Sequence, residues 1–314
     1  MLVKSGARGE GQQPVQLQLF DLNGQSLLRY QLVMGADELP PVVAINDQPR
    51  RMVLGRPSTN ELIYLDATGR EIFRTHLLRN SPFSWERSMQ AVFADSGTHF
   101  AVATMQEPAR PENPFAHRNV HVFMYAANGH LLWHKILPEQ SLGALAIARD
   151  AAYLAVATYD SYTQPGKIMQ KTRIFNLAGR EIAAAPILFK QAHFLPGRPH
   201  VFFHSNRTLW RLDLDSGHFT PLLQVRKPGE QILAATFSGR TNQWAVALGK
   251  SVFAAGHFQF ASPSLLILNP EGKEVNRLTW EGQSLRAPFV SPSQAGSQIL
   301  LFFENHLEIY PWNP

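Results

Sequence analysis

The sequence predicts an all-β protein in which small four-stranded sheets repeat around a ring. Short apolar runs are joined by turns that open with Asp or Asn and close with Gly, most clearly in residues 19–28, 63–73 and 124–133. A short hairpin with a type I turn and a following bulge requires this residue order, because Gly supplies the positive φ at its end. A second pair of apolar runs precedes the hairpin in residues 91–104 and 145–158. Recurrence at roughly 40 to 60 residues indicates a circular array of such units.

Each unit is predicted to have four strands, A to D, and we call such a unit a blade. We expect five internal blades, at about residues 41–78, 88–137, 142–188, 189–225 and 230–280.

The chain ends supply a sixth blade in this prediction. Residues 15–32 form a C/D hairpin without an A/B pair, and residues 286–303 form an A/B pair. Joining them into one composite blade closes the ring and removes exposed sheet edges. Residues 307–310 are a surplus strand in this count, so six blades are preferred and seven stay open.

The Ala-rich stretch at residues 142–158 favours a helix on propensity alone. It aligns with two β-like copies of the same repeat, and one repeat unit should not change its secondary structure. We therefore expect strands there.

Bulk composition is typical of a folded protein with a large core. Of the 314 residues, 45% are hydrophobic and 17% are charged. We predict a single domain of repeated blades at residues 15–314, after a flexible leader at residues 1–14. A net charge of +5 without a long Lys/Arg run is too dilute to indicate nucleic-acid binding.

The absence of cysteine excludes disulfides, thiolate catalysis and cysteine-ligated metals. No apolar stretch approaches the roughly 20 residues that cross a bilayer, and the first residues lack the apolar centre of a secretory signal. We expect a soluble protein without a transmembrane segment, cytoplasmic as written and periplasmic if the N-terminus is processed.

These repeats resemble the β-propellers of the WD40-like and quinoprotein-like group, and the resemblance extends over nearly the whole chain. It rests mainly on the hairpins at residues 65–73 and 126–133. In quinoprotein-like repeats an aromatic residue follows the hairpin Gly and docks between blades, and Phe73 and Trp133 match that position. No unit carries the Gly-His and Trp-Asp pairs of the strict WD40 repeat. The resemblance implies the fold and no particular function.

Long connections concentrate on one predicted face of the disc. They are the B-to-C connections at residues 105–119, 159–171 and 249–264 and the D-to-A segment at residues 78–86. Elaborated loops on a rigid scaffold commonly carry binding.

Aromatic and basic residues are frequent in these connections, as in protein-contact surfaces. The candidate partner-binding residues are Phe83, Trp85, Arg110, Phe115, His117, Arg118, Tyr159, Tyr162, Lys167, Phe253, His257, Phe258 and Phe260. Alternatively, these aromatics fold down over the loops as small satellite cores.

The sequence gives no catalytic, metal or cofactor signature. His130 and His134, like His200 and His204, are four residues apart, which on strands separates them by about 13 Å and prevents shared metal binding. Nucleophile-elbow and phosphate-loop motifs are absent. We therefore nominate no catalytic residue, no metal site and no cofactor.

Two functions are consistent with this pattern. The first is a non-catalytic scaffold or assembly subunit that binds a protein through the long-loop face. The second is an enzyme or small-ligand binder with a polar pocket at the axial opening of that face. Its candidate residues are Asp160, His117, His257, Tyr162 and Arg110.

Overall fold

The structure is a computed structural model, and it describes residues 2–5, 13–20, 25–35, 38–47, 49–78, 89–106, 118–160, 168–195, 197–239, 241–254, 257–282, 284–292, 298–303 and 307–311. Throughout these ranges the regular secondary structure is β-strand, and no helix long and apolar enough to cross a membrane occurs in them. The chain divides into two compact units, residues 1–182 and 183–314, and each is described by itself.

The first unit contains fourteen whole strands and the first two residues of a fifteenth. They are β1 (Leu2–Ser5), β2 (Gln13–Phe20), β3 (Ser26–Met34), β4 (Val42–Asp47), β5 (Arg50–Arg56), β6 (Glu61–Leu65), β7 (Glu71–His76), β8 (Met89–Phe93), β9 (His99–Gln106), β10 (Asn119–Ala126), β11 (Leu131–Leu137), β12 (Ser141–Ile147), β13 (Tyr153–Asp160), β14 (Met169–Asn176) and β15 (Glu181–Ala185).

The second unit contains the remaining strands. They are β16 (Gln191–Phe194), β17 (His200–His204), β18 (Thr208–Asp213), β19 (Phe219–Gln224), β20 (Glu230–Ser238), β21 (Gln243–Ala254), β22 (His257–Leu268), β23 (Glu274–Thr279), β24 (Ser284–Pro292), β25 (Gln298–Phe303) and β26 (Leu307–Pro311).

The five predicted internal blades are confirmed. β4–β7, β8–β11, β12–β15 and β16–β19 are four-stranded sheets in sequence order, and β20–β23 pair in the same order within a larger sheet that includes β24–β26. β12 and β13 replace the helix that Ala propensity favours. Pairing partners on both sides of β13 override that weak local preference.

Each chain end contributes three strands. The sequence analysis predicted two strands at the N-terminal end, and two strands plus a surplus strand at the C-terminal end. Val15 pairs with Leu32 in the predicted hairpin, and β24 pairs with β25. β1 was not predicted, because residues 1–14 were assigned to a leader; it pairs with the free edge of β2. A count of six blades fits this set of sheets. The joining of the terminal strands stays a prediction.

The predicted Asp-to-Gly turns are confirmed between β6 and β7. The Asp66 carboxylate accepts hydrogen bonds from the backbone N–H and the hydroxyl of Thr68, at 2.8 and 2.7 Å. These bonds lower the pKa of Asp66. Gly69 then adopts φ +86°, which L side chains rarely adopt.

Aromatic side chains from one blade pack on the turn glycines of the next. An ideal Cβ at Gly129 would lie 2.5 Å from Cδ1 of Phe73, and one at Gly179 would lie 3.0 Å from Cγ of Trp133. Trp133 Nε1 also donates to the Leu177 carbonyl at 2.9 Å. The expectation that Phe73 and Trp133 dock between blades is confirmed.

A charged network joins the N-terminal sheet to the first internal blade. Glu61 accepts hydrogen bonds from Arg56 and Arg74 at 2.7 and 2.8 Å, and Arg56 also bonds Glu38 at 2.7 Å. Arg74 bonds Glu71 at 2.7 Å. In β3, the Tyr30 hydroxyl accepts from Arg74 at 2.9 Å and the Val33 carbonyl accepts from Arg56 at 3.2 Å, so the network fixes the approach of the two sheets.

Candidate functional site

The B-to-C end of the fifth internal blade carries the longest strand pair among the described residues. β21 and β22 have 12 residues each, whereas the second and third strands of the other four internal blades have five to eight. Pairing continues from Lys250 opposite Ala261 to Ala254 opposite His257. We call this extension the β-arm. Four steps of about 3.3 Å make it about 13 Å long.

The β-arm corrects one sequence expectation, because residues 249–264 were treated as a connecting loop. Val252, Phe253, Phe258 and Phe260 are of the residue types that favour strands, and they pair across the hairpin. The strands change register next to Gly249, where an added Cβ would lie 3.0 Å from Leu233 Cδ1. The β-arm therefore begins at Gly249, and its base pairs with β24, where Phe260 lies opposite Leu285 and Ala261 opposite Ser284.

Two predicted binding residues on the β-arm have different surroundings. Phe253 is 67% exposed. Phe260 packs against a cluster that includes Leu233, Ala247 and Leu265. Phe260 therefore follows the satellite-core alternative, whereas Phe253 presents its ring to solvent. For His257 and Phe258 the structure describes the backbone, which lies in β22.

Arg118 and Tyr159 lie at B-to-C ends of the first unit. Tyr159 is near the end of β13, opposite Ser141 on one side and Gln170 on the other. Arg118 precedes β10, and its carbonyl accepts a hydrogen bond from the Gln140 N–H at 2.7 Å. Both residues are partly exposed.

The other predicted binding residues lie outside the described ranges. These are Phe83, Trp85, Arg110, Phe115, His117, Tyr162 and Lys167. Their assignment to a partner-binding face stays a prediction.

The sequence analysis missed two exposed apolar residues at the start of β14. Ile168 is 60% exposed and Met169 is 47% exposed, next to the end of β13. They lie within the connection predicted at residues 159–171. They were missed because the analysis selected aromatic and charged residues there and passed over aliphatic ones.

A chain of hydrogen bonds runs across β9, β10 and β11 near their B-to-C end. His121 Nε2 lies 2.9 Å from Gln106 Oε1, and His121 Nδ1 lies 2.9 Å from His134 Nε2. Because the amide oxygen only accepts, His121 donates from Nε2 and accepts from His134 at Nδ1. Burial lowers the pKa of His121 to about 4. The pair therefore acts as a neutral brace between the strands.

A second polar group braces the following blade. Arg173 Nη1 donates to Gln140 Oε1 at 2.8 Å and to Thr158 Oγ1 at 3.0 Å, and Thr158 also bonds Gln140. Gln140 belongs to the connection between β11 and β12, so this group fixes that connection to β13 and β14. These bonds hold the neighbouring ends of β13 and β14 together.

No group of three His, Asp or Glu side chains that could hold a metal ion occurs in the described ranges. Five residues were assigned to the alternative polar pocket, and the structure describes the side chain of one of them, Asp160. That pocket stays a prediction.

Buried histidines give a pH-dependent stability. His121 is 5% exposed and His204 is 1% exposed, and burial lowers the pKa of each from 6.5 to about 4. Both stay neutral in the folded chain while the unfolded chain binds protons, so stability is lost as the pH falls from about 6.5 towards 4. Carboxylates with lowered pKa values add to this loss only below about pH 4.5.

We expect the free energy of unfolding in urea to fall between pH 7 and pH 5. His204→Gln should flatten part of this profile, and the remaining slope should persist because His121 is also buried and neutral in the folded chain. A flat profile in the native chain would contradict the assignment.

Comparisons with known proteins identify the fold. No family model and no curated protein matches the chain. Among solved structures, the Dos1 propeller matches with a TM-score of 0.63 at 9% identity, over 99% of this chain and 75% of that chain. The C-terminal WD40 domain of Sif2 matches with a TM-score of 0.57 at 14% identity, over 95% and 74%. KlAtg21, solved in complex with the coiled coil of AgAtg16, matches with a TM-score of 0.53 at 10% identity, over 87% and 83%.

The chain therefore has the WD40-like β-propeller fold, as its hairpins predicted. At these identities the likeness defines the fold and leaves the activity open.

Proposed function

We propose that this protein is a non-catalytic β-propeller scaffold that binds a protein partner through the B-to-C ends of its blades. The β-arm carries the proposal, because it extends one blade by about 13 Å and holds an exposed aromatic ring. Phe253 is 67% exposed, the highest value among the exposed large hydrophobic residues of the described ranges. An aromatic ring on a braced hairpin buries much area for little lost side-chain freedom.

Exposed residues at a B-to-C end of the first unit also support this proposal. Ile168 and Met169 expose apolar surface there. The hydrogen-bond groups around His121 and Arg173 hold the neighbouring strands in place. A rigid support lowers the ordering cost of binding at such a surface.

Propellers also provide a precedent for protein binding. KlAtg21 has this fold and was solved with a coiled coil. We propose that the present chain likewise binds a folded protein, one that supplies an apolar surface for Phe253 on the β-arm.

The test compares two double variants, each of which replaces two exposed apolar side chains with Ser. Phe253→Ser with Ile168→Ser alters B-to-C ends, and Val275→Ser with Ile72→Ser alters strands at the opposite, C-to-D end of their blades. Immobilised chains would capture proteins from an extract of the source cells, with identification by mass spectrometry and titration of the purified partner. We expect the first variant to weaken binding at least about tenfold, since each anchor contributes about 1 kcal/mol or more.

The control variant should bind like the native chain. Equal binding by both variants would reject the B-to-C ends as the interface. Far-UV circular dichroism and thermal melting of all three proteins would separate lost binding from lost folding.

A further inference from the structure

Basic side chains collect at one end of the fourth internal blade. Lys190 precedes β16, Arg207 lies in the turn between β17 and β18, and Arg226 and Lys227 lie in the connection from β19 to β20. In a four-stranded antiparallel sheet these positions share the B-to-C end. All four residues are exposed. We call them the basic patch.

Backbone hydrogen bonds hold the parts of the basic patch together. The Val225 N–H donates to the Arg207 carbonyl at 2.8 Å, and the Ile232 N–H donates to the Asn206 carbonyl at 2.7 Å. The turn is therefore fixed to the connection that follows β19. Neighbouring strands are about 4.8 Å apart, so the patch is about 14 Å wide from the start of β16 to the end of β19.

The acidic residues of this blade lie at its other end. In residues 186–229 they are Asp213 and Asp215, in the turn between β18 and β19. β18 separates Asp213 from the patch by five residue steps, about 17 Å. The Debye length at physiological ionic strength is about 8 Å, so these two charges are largely screened from the patch.

Glu230 lies beside the patch, but it faces other cations. Its N–H donates to the Lys227 carbonyl at 3.3 Å, whereas its side chain belongs to a residue that pairs opposite Lys250 and attracts Arg277. Within the described part of the chain, none of the four side chains of the basic patch has an ion-pair or hydrogen-bond partner. The patch therefore keeps its positive charge.

Basic residues of the first unit have nearby carboxylates. Arg56 bonds Glu61 at 2.7 Å, and the Glu181 carboxylate lies 3.6 Å from Arg173 and 3.9 Å from Lys171. The four residues of the basic patch lack such a carboxylate among the described residues.

Lys190 shows the cost of the missing counter-charge. Partial burial lowers the pKa of its ammonium, because the charged form loses contact with water. Burial also lowers the pKa of the neighbouring His204 ring, and the charge of Lys190 lowers it further. A carboxylate supplied from outside the chain would stabilise the Lys190 charge.

We propose that the basic patch binds an acidic segment of the protein partner, a short run of Asp and Glu residues. An extended segment of four to six residues covers a width of about 14 Å and supplies carboxylates as hydrogen-bond acceptors for the four cations. The turn at residues 205–207 and the connection at residues 225–229 contain no aromatic residue. They therefore offer no platform for stacked bases, which favours an acidic peptide over a single-stranded nucleic acid.

This inference rests on the proposed function and adds the chemistry of the partner. The β-arm belongs to the next blade of the same unit as the basic patch. The partner would then supply an apolar surface for Phe253 and negative charge for the patch. Charge complementarity of this kind mainly raises the association rate and the specificity.

A defined acidic probe tests the basic patch directly. We expect the purified chain to bind a fluorescein-labelled peptide of eight glutamates saturably in fluorescence anisotropy. Binding should weaken as NaCl rises from about 50 to about 300 mM, because salt screens the charges. Arg207→Glu with Lys227→Glu should weaken binding at least about tenfold, because it replaces two attractive charges with two repulsive ones.

Arg198→Glu with Lys273→Glu is the matched control. It makes the same charge change at two exposed turn positions at the opposite end of their blades in the same unit. This variant should bind the peptide within about twofold of the native chain, and thermal melting should show all three proteins folded. No saturable binding by the native chain, equal weakening in both variants, or tighter binding of an oligothymidine of equal charge would overturn the proposal.

Failure of this proposal can be told apart from failure of the proposed function. Phe253→Ser with Ile168→Ser should leave binding of the glutamate peptide unchanged, because that peptide has no apolar side chain. With the purified partner, the patch variant should mainly slow association, and the Phe253 variant should mainly speed dissociation. A chain that binds its partner through Phe253 but does not bind the peptide would reject the basic patch alone.

Discussion

Gly129→Ala should destabilise the protein by about 2–4 kcal/mol, measured as the free energy of unfolding in urea. Gly129 has φ +85°, which costs an Ala residue about 1 kcal/mol. The new methyl group would also lie 2.5 Å from Cδ1 of Phe73. That ring cannot move easily, because it contacts Tyr64 and Tyr125 with centroid distances of 5.5 and 5.8 Å.

Gly217→Ala separates the two effects. Gly217 has φ +70° and closes a C-to-D turn that is one residue longer, and an added Cβ there meets nothing within 4 Å. We expect a loss of about 1 kcal/mol, the backbone term alone. Equal losses at Gly129 and Gly217 would show that Phe73 does not lock the blades together. Gly129→Ala on a Phe73→Leu background should also cost less than on the native background.

Glu61→Gln should cost about 2–3 kcal/mol. The Glu61 side chain is 7% exposed, and its two oxygens accept from Arg56 and Arg74 at 2.7 and 2.8 Å. The amide would turn an N–H group towards one guanidinium and leave that charge partly uncompensated away from water. Arg56 would remain paired with Glu38, and Arg74 with Glu71. We therefore expect a loss of stability at the lower end of the range for breaking a buried ion pair.

Glu274→Gln is the matched surface control. Glu274 pairs with Arg277 at 2.7 Å, but both side chains are 44% exposed. Exposed pairs contribute little and are screened by salt, so we expect a change within about 0.5 kcal/mol. Urea unfolding with and without 0.5 M NaCl (about a 4 Å Debye length) should preserve the Glu61 effect. A small, salt-sensitive loss at Glu61 would place that carboxylate in solvent and contradict the network.

Local chemistry made the hairpins predictable. The hydrogen bonds of Asp66 within its own turn and the positive φ of Gly69 follow from the residues next to them in the sequence. The structure has both features. The strands at residues 142–158 were predictable because the repeat outweighed Ala propensity. The docking of Phe73 and Trp133 was expected from the family resemblance.

The β-arm and β1 were not predicted. β1 pairs with β2 across residues that the analysis assigned to a leader. The strand-favouring residues at 252–260 were a local signal for a hairpin, but aromatic residues are also frequent in binding loops, and the analysis assigned them to a loop. The hydrogen bond from His134 to His121 depends on the register of β10 and β11. Ile168 lies within the predicted connection at residues 159–171, but it was missed because aromatic and charged residues were selected there as binding candidates.

By itself the sequence determined the turn chemistry, the repeat and therefore the class of fold, because these follow from backbone sterics and local hydrogen bonding. Tertiary structure alone decided which apolar side chains are covered. Phe260 packs into a core and Phe253 faces solvent although both lie on the β-arm. Burial depends on what the rest of the chain places beside a residue, and that information is not contained in the residue or its neighbours.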